Sequence, residues 1–181
     1  MANDLLKGKR GIIFGALNSQ SIAWKVAQRA HEEGATFVLT NAPIAMRMGE
    51  IKNLAEETGS EIIPADATSV EDLENLVTKS MEILGGKIDF VLHSIGMSPN
   101  VRKGKHYTEN DYRYYGQTMD VSAISFHKTL ATLYKHDAMS EWGSVLALSY
   151  IAAQRIFPDY NDMADAKSLL ESIARSFGYH Y

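Results

Sequence analysis

Short, wholly apolar runs alternate along this chain with longer stretches in which apolar residues recur every three or four positions. Gly11-Ile12-Ile13-Phe14-Gly15 predicts a buried strand, and residues from about Ser19 to Glu33 predict a helix. The helix carries its stripe on Ile22, Ala23, Val26, Ala27 and Ala30 and stops at Gly34. Phe37-Val38-Leu39 predicts a second strand, Met46 to Glu57 a helix closed by Gly59, and Ile62-Ile63 a short third strand before Pro64. Ser69 followed by Asp72 is a loose capping box for a helix whose stripe is Leu73, Leu76, Val77, Met81 and Leu84. Gly85-Gly86 ends it. Ile88 to His93 predicts strand four, Gly96 to Gly104 a loop, and Thr108 to Lys135 helix with a possible break near Gly116. Ser144 to Leu148 predicts strand five. A last helix is expected from about Tyr160 to Phe177, with Gly178 as its stop.

Five rounds of strand and helix, with strands apolar throughout rather than alternating, imply a parallel sheet covered by helices on both faces. The expectation is a Rossmann-type, doubly wound, three-layer α/β/α fold in one domain over residues 1–181. Composition fits: 181 residues, 45% hydrophobic and 22% charged, are enough for one packed core, and with no cysteine a disulfide scaffold is excluded. A formal charge of −4 argues against nucleic acid and anionic membranes as partners. The first ten residues lack the apolar core of a signal peptide, and no run approaches the length of a membrane span. A cytoplasmic setting is the resulting expectation. No metal site is expected.

Ligands of such sheets sit beyond the carboxyl ends of the strands. The loop Gly15 to Trp24 follows strand one; it lacks G-x-G-x-x-G but has a glycine at the strand end and hydroxyl and amide residues at the helix start. Free backbone N–H groups there, with Ser21, suit a pyrophosphate. Asp66-Ala67 follows strand three, where a carboxylate can accept from an adenine amine. His93-Ser94-Ile95-Gly96 follows strand four, where glycine lets the backbone approach a ribose. Each segment alone also reads as a plain turn, cap or strand end, but all three fall at carboxyl ends. After strand two, Thr40-Asn41-Ala42-Pro43 offers no acid for two ribose hydroxyls, and Arg47 is near enough in sequence to meet a 2′-phosphate. NADH and NADPH both stay open on this reading.

Ser149 to Lys167 is the most chemical segment. Tyr160 and Lys167, seven apart on the predicted helix, would share a face about 10 Å apart along the axis. A phenol is a good donor to a developing oxyanion, and an ammonium nearby can anchor ribose hydroxyls. Tyr150, at the end of strand five, would face the same cavity. The other reading of these residues is a surface lysine and two tyrosines packed by their rings.

Taken together, Gly15-x5-Ser21-Ile22-Ala23, Asp66-Ala67, His93-Ser94-Ile95-Gly96, Asp120-Val121-Ser122 and Tyr150-x9-Tyr160-x6-Lys167 resemble the NADH-dependent enoyl-[acyl-carrier-protein] reductases. These are a divergent branch of the short-chain dehydrogenase/reductase superfamily, and the wide Tyr-x6-Lys spacing separates them from its usual Tyr-x3-Lys. The resemblance implies reduction of a trans-2-enoyl thioester, carried by acyl carrier protein, with hydride from NADH (alternatively NADPH) in fatty acid elongation. It implies that Tyr160 hydrogen-bonds the thioester oxyanion, Lys167 holds the nicotinamide ribose and Tyr150 lines the acyl site. Gly15, Ser21 and Ile22 would hold the pyrophosphate side, Asp66 and Ala67 the adenine, and Ile95, between Ser94 and Gly96, the riboses. Ala42 would read the adenosine ribose and Ser98 would sit near substrate.

Two departures stand out. Ala42 has no hydrogen-bonding side chain, and Asp165 puts a negative charge two residues from Lys167, facing only solvent on the simplest view. The resemblance also implies a homotetramer and further C-terminal strands after Tyr181. Without them Ser144 to Ser149 would be an unpaired edge and the nicotinamide pocket would lack a lid. A catalytically silent nucleotide-binding or assembly fragment is therefore the alternative expectation.

Overall fold

The apolar run Ile12–Phe14 lies at the centre of a sheet, almost wholly buried. The computed structural model describes residues 3–181. Strands β1 (Arg10–Phe14), β2 (Thr36–Thr40), β3 (Glu61–Ile62), β4 (Ile88–His93) and β5 (Met139–Ala147) stand in the order β3-β2-β1-β4-β5. Phe14 is paired with Thr40 of β2 on one side and His93 of β4 on the other, and both pairings are parallel. β3 continues the parallel set beside β2. Connections step outward from β1 to β3, then return to the other side of β1 at β4. This reversal makes the doubly wound fold expected from the sequence and opens a crevice at the carboxyl ends of β1 and β4.

The helices are α1 (Ile22–Glu32), α2 (Pro43–Met48), α3 (Ile51–Thr58), α4 (Val70–Leu84), α5 (Pro99–Arg102), α6 (Tyr112–Met119), α7 (Ser125–Lys135) and α8 (Asp162–His180). Single 3₁₀ turns occupy Tyr107–Glu109 and Ile151–Ala153, and a π turn over Asp120–Ile124 joins α6 to α7. No helix among the described residues is long and apolar enough to cross a membrane. The chain divides into two compact units: Met1–Ser94 with Thr132–Leu146, and Ile95–Ala131 with Ala147–Tyr181. The first holds the sheet core, with Ile13, Val38, Leu39, Leu54, Leu73 and Val91 fully buried. The second packs Phe126, Leu130, Met163, Ala166 and Leu170 around a set of buried polar groups.

Several boundaries differ from the pattern-based expectation. The single helix over Met46 to Glu57 is two, because the chain is extended at Gly49 (φ −106°, ψ 173°). There the Glu50 N–H donates to Leu17 O at 2.8 Å, and a Cβ on Gly49 would stand 2.7 Å from that oxygen. The loop after β1 thus decides where the helix breaks. Gly116 does not break α6; the irregularity lies at the π turn, where Ser122 Oγ accepts from Met97 N (2.9 Å) and donates to Met97 O (3.0 Å). The loop from Gly96 to Gly104 contains α5, capped by Ser98. Strand β5 starts at Met139, earlier than expected, and its backbone turns left-handed at exposed Trp142 (φ 61°). Gly178 lies inside α8 rather than ending it. The Ser69 cap forms, accepting from Asp72 N at 3.2 Å, but the Asp72 carboxylate reaches Asp66 N (2.8 Å) instead of closing a reciprocal box.

Two glycines separate backbone conformation from close approach. Gly59 (φ +64°) ends α3 in open space, whereas Gly15 (φ +88°) ends β1 where a Cβ would lie 1.9 Å from Ser94 O. Gly59→Ala is expected to cost about 1 kcal/mol, the strain of a left-handed residue. Gly15→Ala is expected to cost at least about 3 kcal/mol, because the backbone of the neighbouring strand end must move as well. Urea unfolding of both variants checks this; equal losses would show that conformation alone is the constraint.

Candidate active site

In the first unit, the turn after β1 is organised by its own polar side chains. Ser21 is the N-cap residue of α1 but does not cap it. Its hydroxyl accepts from Leu17 N (3.2 Å) and donates to Asn18 O (2.7 Å), closing the turn on itself. Gln20 N donates to Asn18 Oδ1 at 3.1 Å. The start of α1 therefore has no side-chain cap and no acidic residue in its first turn. Open amides and the positive end of the helix dipole make this a place for an anion. Gly15 brings the turn against Ser94 at the end of β4, filling the space a side chain would need.

The other residues expected to meet a nucleotide follow strands β2 and β3 and have local tasks of their own. Asp66 is exposed after β3, and its Oδ1 accepts from Thr68 N (2.9 Å) and Thr68 Oγ1 (2.8 Å), so one oxygen builds a turn. Ala67 behind it is buried. Ala42 is the half-buried N-cap residue of α2, its N–H donating to Asn41 Oδ1 (2.9 Å), and Arg47 is exposed in the last turn of that helix.

In the second unit, Lys167 is only 5% exposed. Its Nζ donates to Leu148 O at 2.7 Å and to Ile95 O at 3.4 Å. Leu148 and Ile95 belong to the same unit as Lys167, so one ammonium joins three segments of it. Both carbonyls are neutral, and burial pushes the Lys167 pKa below the usual lysine value. Gly96 is exposed beside it; a Cβ there would lie 3.7 Å from Nζ and 3.3 Å from Met163 Cε.

Tyr160 is not on the helix with Lys167. Helix α8 begins at Asp162, and Tyr160 stands between two left-handed residues, Asp159 (φ 64°) and Asn161 (φ 48°). The expected two-turn spacing on one helix face therefore does not apply; a corner, not a helix, orients the phenol. Its ring packs on Tyr150 at 4.6 Å between centroids, and Phe157 meets Tyr150 edge-on at 5.2 Å. Tyr150 begins the 3₁₀ turn rather than ending β5. Burial, and secondarily the neighbouring Tyr150, raises the Tyr160 pKa, so the phenol is a proton-bearing donor at neutral pH. Among the described residues, no hydrogen bond to protein is made by either the Tyr150 or the Tyr160 hydroxyl.

Two residues take tasks the sequence did not reveal. Ser98 is 4% exposed, and its hydroxyl accepts from Val101 N (3.0 Å) and donates to Asp162 Oδ1 (2.6 Å). Its side chain thus serves a buried polar network rather than an open surface. Asp165 does not face only solvent: it accepts from Tyr107 Oη (3.1 Å) and Tyr115 Oη (3.0 Å). Burial and this bond push the Tyr115 pKa up to about 12. The clue for Asp162 was available in principle, since it falls on the same buried stripe of α8 as Met163, Ala166, Lys167 and Leu170. A cavity of about 740 Å³ opens in this unit between His106, Tyr107, Gln154, Arg155 and Asp165, and its lining includes none of Tyr150, Tyr160 and Lys167.

Comparison with known proteins identifies the family of the chain. A family model described as Enoyl-(Acyl carrier protein) reductase matches residues 15–181. Enoyl-[acyl-carrier-protein] reductase [NADH] 1 of Rhizobium meliloti (strain 1021) is 36% identical over 176 residues, which is 96% of this chain and 63% of that protein. The chain thus spans less than two thirds of that relative's length. The crystal structure of a FabI-NADH complex from Alistipes finegoldii is 67% identical, with a TM-score of 0.97 over 98% of this chain and 63% of that one. A crystal structure of enoyl-[acyl-carrier-protein] reductase (NADH) from Aquifex aeolicus VF5 is 32% identical with a TM-score of 0.87 over 97% of this chain. A match over residues 15–181, nearly the whole chain, places this protein in the enoyl-(acyl carrier protein) reductase family.

Proposed function

We propose that the protein acts in the reduction of the trans-2 double bond of enoyl thioesters on acyl carrier protein, with NADH as hydride donor, in the cytoplasm and as a homo-oligomer, a tetramer in the complete protein. The observation that carries the reading is the Tyr160 phenol: held protonated by burial, set by a backbone corner, and making no hydrogen bond to a described residue. Bound NADH would supply a hydride to the β-carbon, which leaves negative charge on the thioester oxygen until the α-carbon takes a proton. Tyr160 donates its hydrogen bond to that oxygen, where a donor fixed in advance is worth most. Tyr150, stacked on it, lines the acyl side.

The residues present fit the cofactor. Gly15 lets the turn close against Ser94 where a Cβ would clash, and the uncapped start of α1, at Ser21 and Ile22, suits the pyrophosphate. Asp66, through its other oxygen, and Ala67 hold the adenine. Ile95, with Ser94 and Gly96, holds ribose, and Ala42 faces the adenosine ribose without a charge. Lys167, oriented by two carbonyls, has a third N–H for the nicotinamide ribose. Ser98 serves the substrate through the loop it caps.

Two outcomes test these roles. Tyr160→Phe is expected to lower kcat on crotonyl thioester by on the order of 10²-fold with little change in NADH affinity, and Lys167→Ala is expected mainly to weaken NADH binding. Steady-state kinetics and calorimetric titration separate the two, and full turnover in Tyr160→Phe would pass the donor role to Tyr150. Lys167 also leaves a pH signature. Its folded pKa is depressed, so below that pKa the buried charge lowers stability by its full desolvation penalty. As pH rises towards the ordinary value of 10.5, the folded state releases the proton before the unfolded state does, and stability rises. The stability of the parent relative to Lys167→Met is therefore expected to increase with pH across that window. A flat difference in urea-unfolding free energy would show that the ammonium is not desolvated.

A further inference from the structure

The most buried charge that the proposed chemistry does not use is Asp162, at 0% exposure. Three neutral donors from two segments, α5 with its cap and α6, converge on its carboxylate. Ser98 Oγ donates to Oδ1 at 2.6 Å, and Asn100 Nδ2 and Thr118 Oγ1 donate to Oδ2, each at 2.9 Å. Asn100 also clasps the Asp111 backbone, its Nδ2 donating to O (3.2 Å) and its Oδ1 accepting from N (3.1 Å). The residue before Asp162 is held as firmly. Asn161 Nδ2 donates to Lys105 O at 2.7 Å, and its Oδ1 accepts from Asn110 Nδ2 and Asp162 N, each at 2.6 Å.

This network borders the Asp159–Asn161 corner. Non-glycine residues with positive φ on both sides of a tyrosine persist only where the surroundings over-determine them. The surroundings here are the side-chain bonds of Asn161 and Asp162. A carboxylate suits the position because it accepts from all three donors at once and stands in the first turn of α8, where the helix dipole favours negative charge. We infer that Asp162 is a positioning residue: through Ser98, Asn100 and Thr118 it holds the corner that presents the Tyr160 phenol. The kinetic consequence rests on the proposed function; the geometric one does not.

The test combines one readout of Tyr160 itself with one of catalysis, on the full-length protein. Tyrosines labelled with ¹³C at Cζ give a resonance for Tyr160, assigned by its loss in Tyr160→Phe. One sharp signal is expected in the parent, a split or broadened one in Asp162→Ala, and recovery in Asp162→Asn. The asparagine keeps an acceptor for Asn100 and Thr118, while its amide can donate to a rotated Ser98 hydroxyl. Asp162→Ala is expected to lower kcat on crotonyl thioester by on the order of 10-fold, with KM for NADH unchanged. In a Tyr160→Phe background the same change is expected to cost nothing further, as for two residues acting as one unit. A role in stability alone would lower the amount of folded protein but leave the Tyr160 signal of the folded fraction sharp. That result, or a fully additive loss of kcat, would overturn the inference. Should Asp162→Ala not fold, Thr118→Val, which removes one of the three donors, carries the same expectations at smaller amplitude. A parent that reduces no enoyl thioester would sink the proposed function, while the resonance would still decide the role of Asp162.

Discussion

Helix α8 buries an ammonium and a carboxylate on one flank, and neither charge has solvent to stabilise it. Water must be replaced by protein dipoles, since an uncompensated buried charge is costly enough to unfold a domain. Lys167 is met by the carbonyls of Ile95 and Leu148, and Asp162 by the hydroxyls of Ser98 and Thr118 and the amide of Asn100. These obligations order the segments around the helix. The loop after β4 must present a carbonyl at Ile95 and a hydroxyl at Ser98, and the segment after β5 must bring Leu148 to the lysine. The irregular parts of the second unit are thus shaped by charge solvation more than by apolar burial.

At the sheet a different constraint rules, which is the closeness of two backbones. Gly15 lets the turn after β1 lie against the end of β4, so the turn is tight and Ser21 closes it from within. A serine that satisfies the turn cannot also cap the helix. The amides at the start of α1 are left without a side-chain cap, a setting that suits an anion without the usual three-glycine fingerprint. The same turn also shapes its neighbour, because Leu17 O receives the Glu50 N–H and so divides α2 from α3.

The phenol proposed to act on substrate lies in the irregular chain of the second unit, next to the buried charge of Asp162. A tyrosine on a helix would have its direction set by helical geometry alone. Tyr160 instead sits in a corner between two left-handed residues, with Tyr150 against its ring. Such a corner aims a side chain in a direction that regular structure does not offer. Its cost is offset by the buried hydrogen bonds of Asn161 and Asp162.

Periodicity along the chain was enough to read the sheet, because burial on both faces makes a strand apolar throughout and burial on one face stripes a helix. Hence β1 and β4 and helices α1 and α4 fall close to where the pattern puts them, and Gly15, Ser94 and Asp66 lie just after strands. Capping chemistry was legible too, as at Ser69. What the pattern missed depends on contacts far apart in sequence. Gly49 breaks a helix because Leu17 O is there, Asp120–Ile124 forms a π turn beside the Met97 backbone that Ser122 binds, and Gly178 stays helical. Asp165 reads as a solvent charge until Tyr107 and Tyr115 are seen on it. Spacing alone assigns Tyr160 and Lys167 to one helix, whereas in the folded chain Tyr160 stands in a corner before α8. The reason is that a local pattern records which residues prefer burial, whereas a polar group's conformation is chosen by the partner it must find once buried, and that partner is brought to it by the tertiary structure.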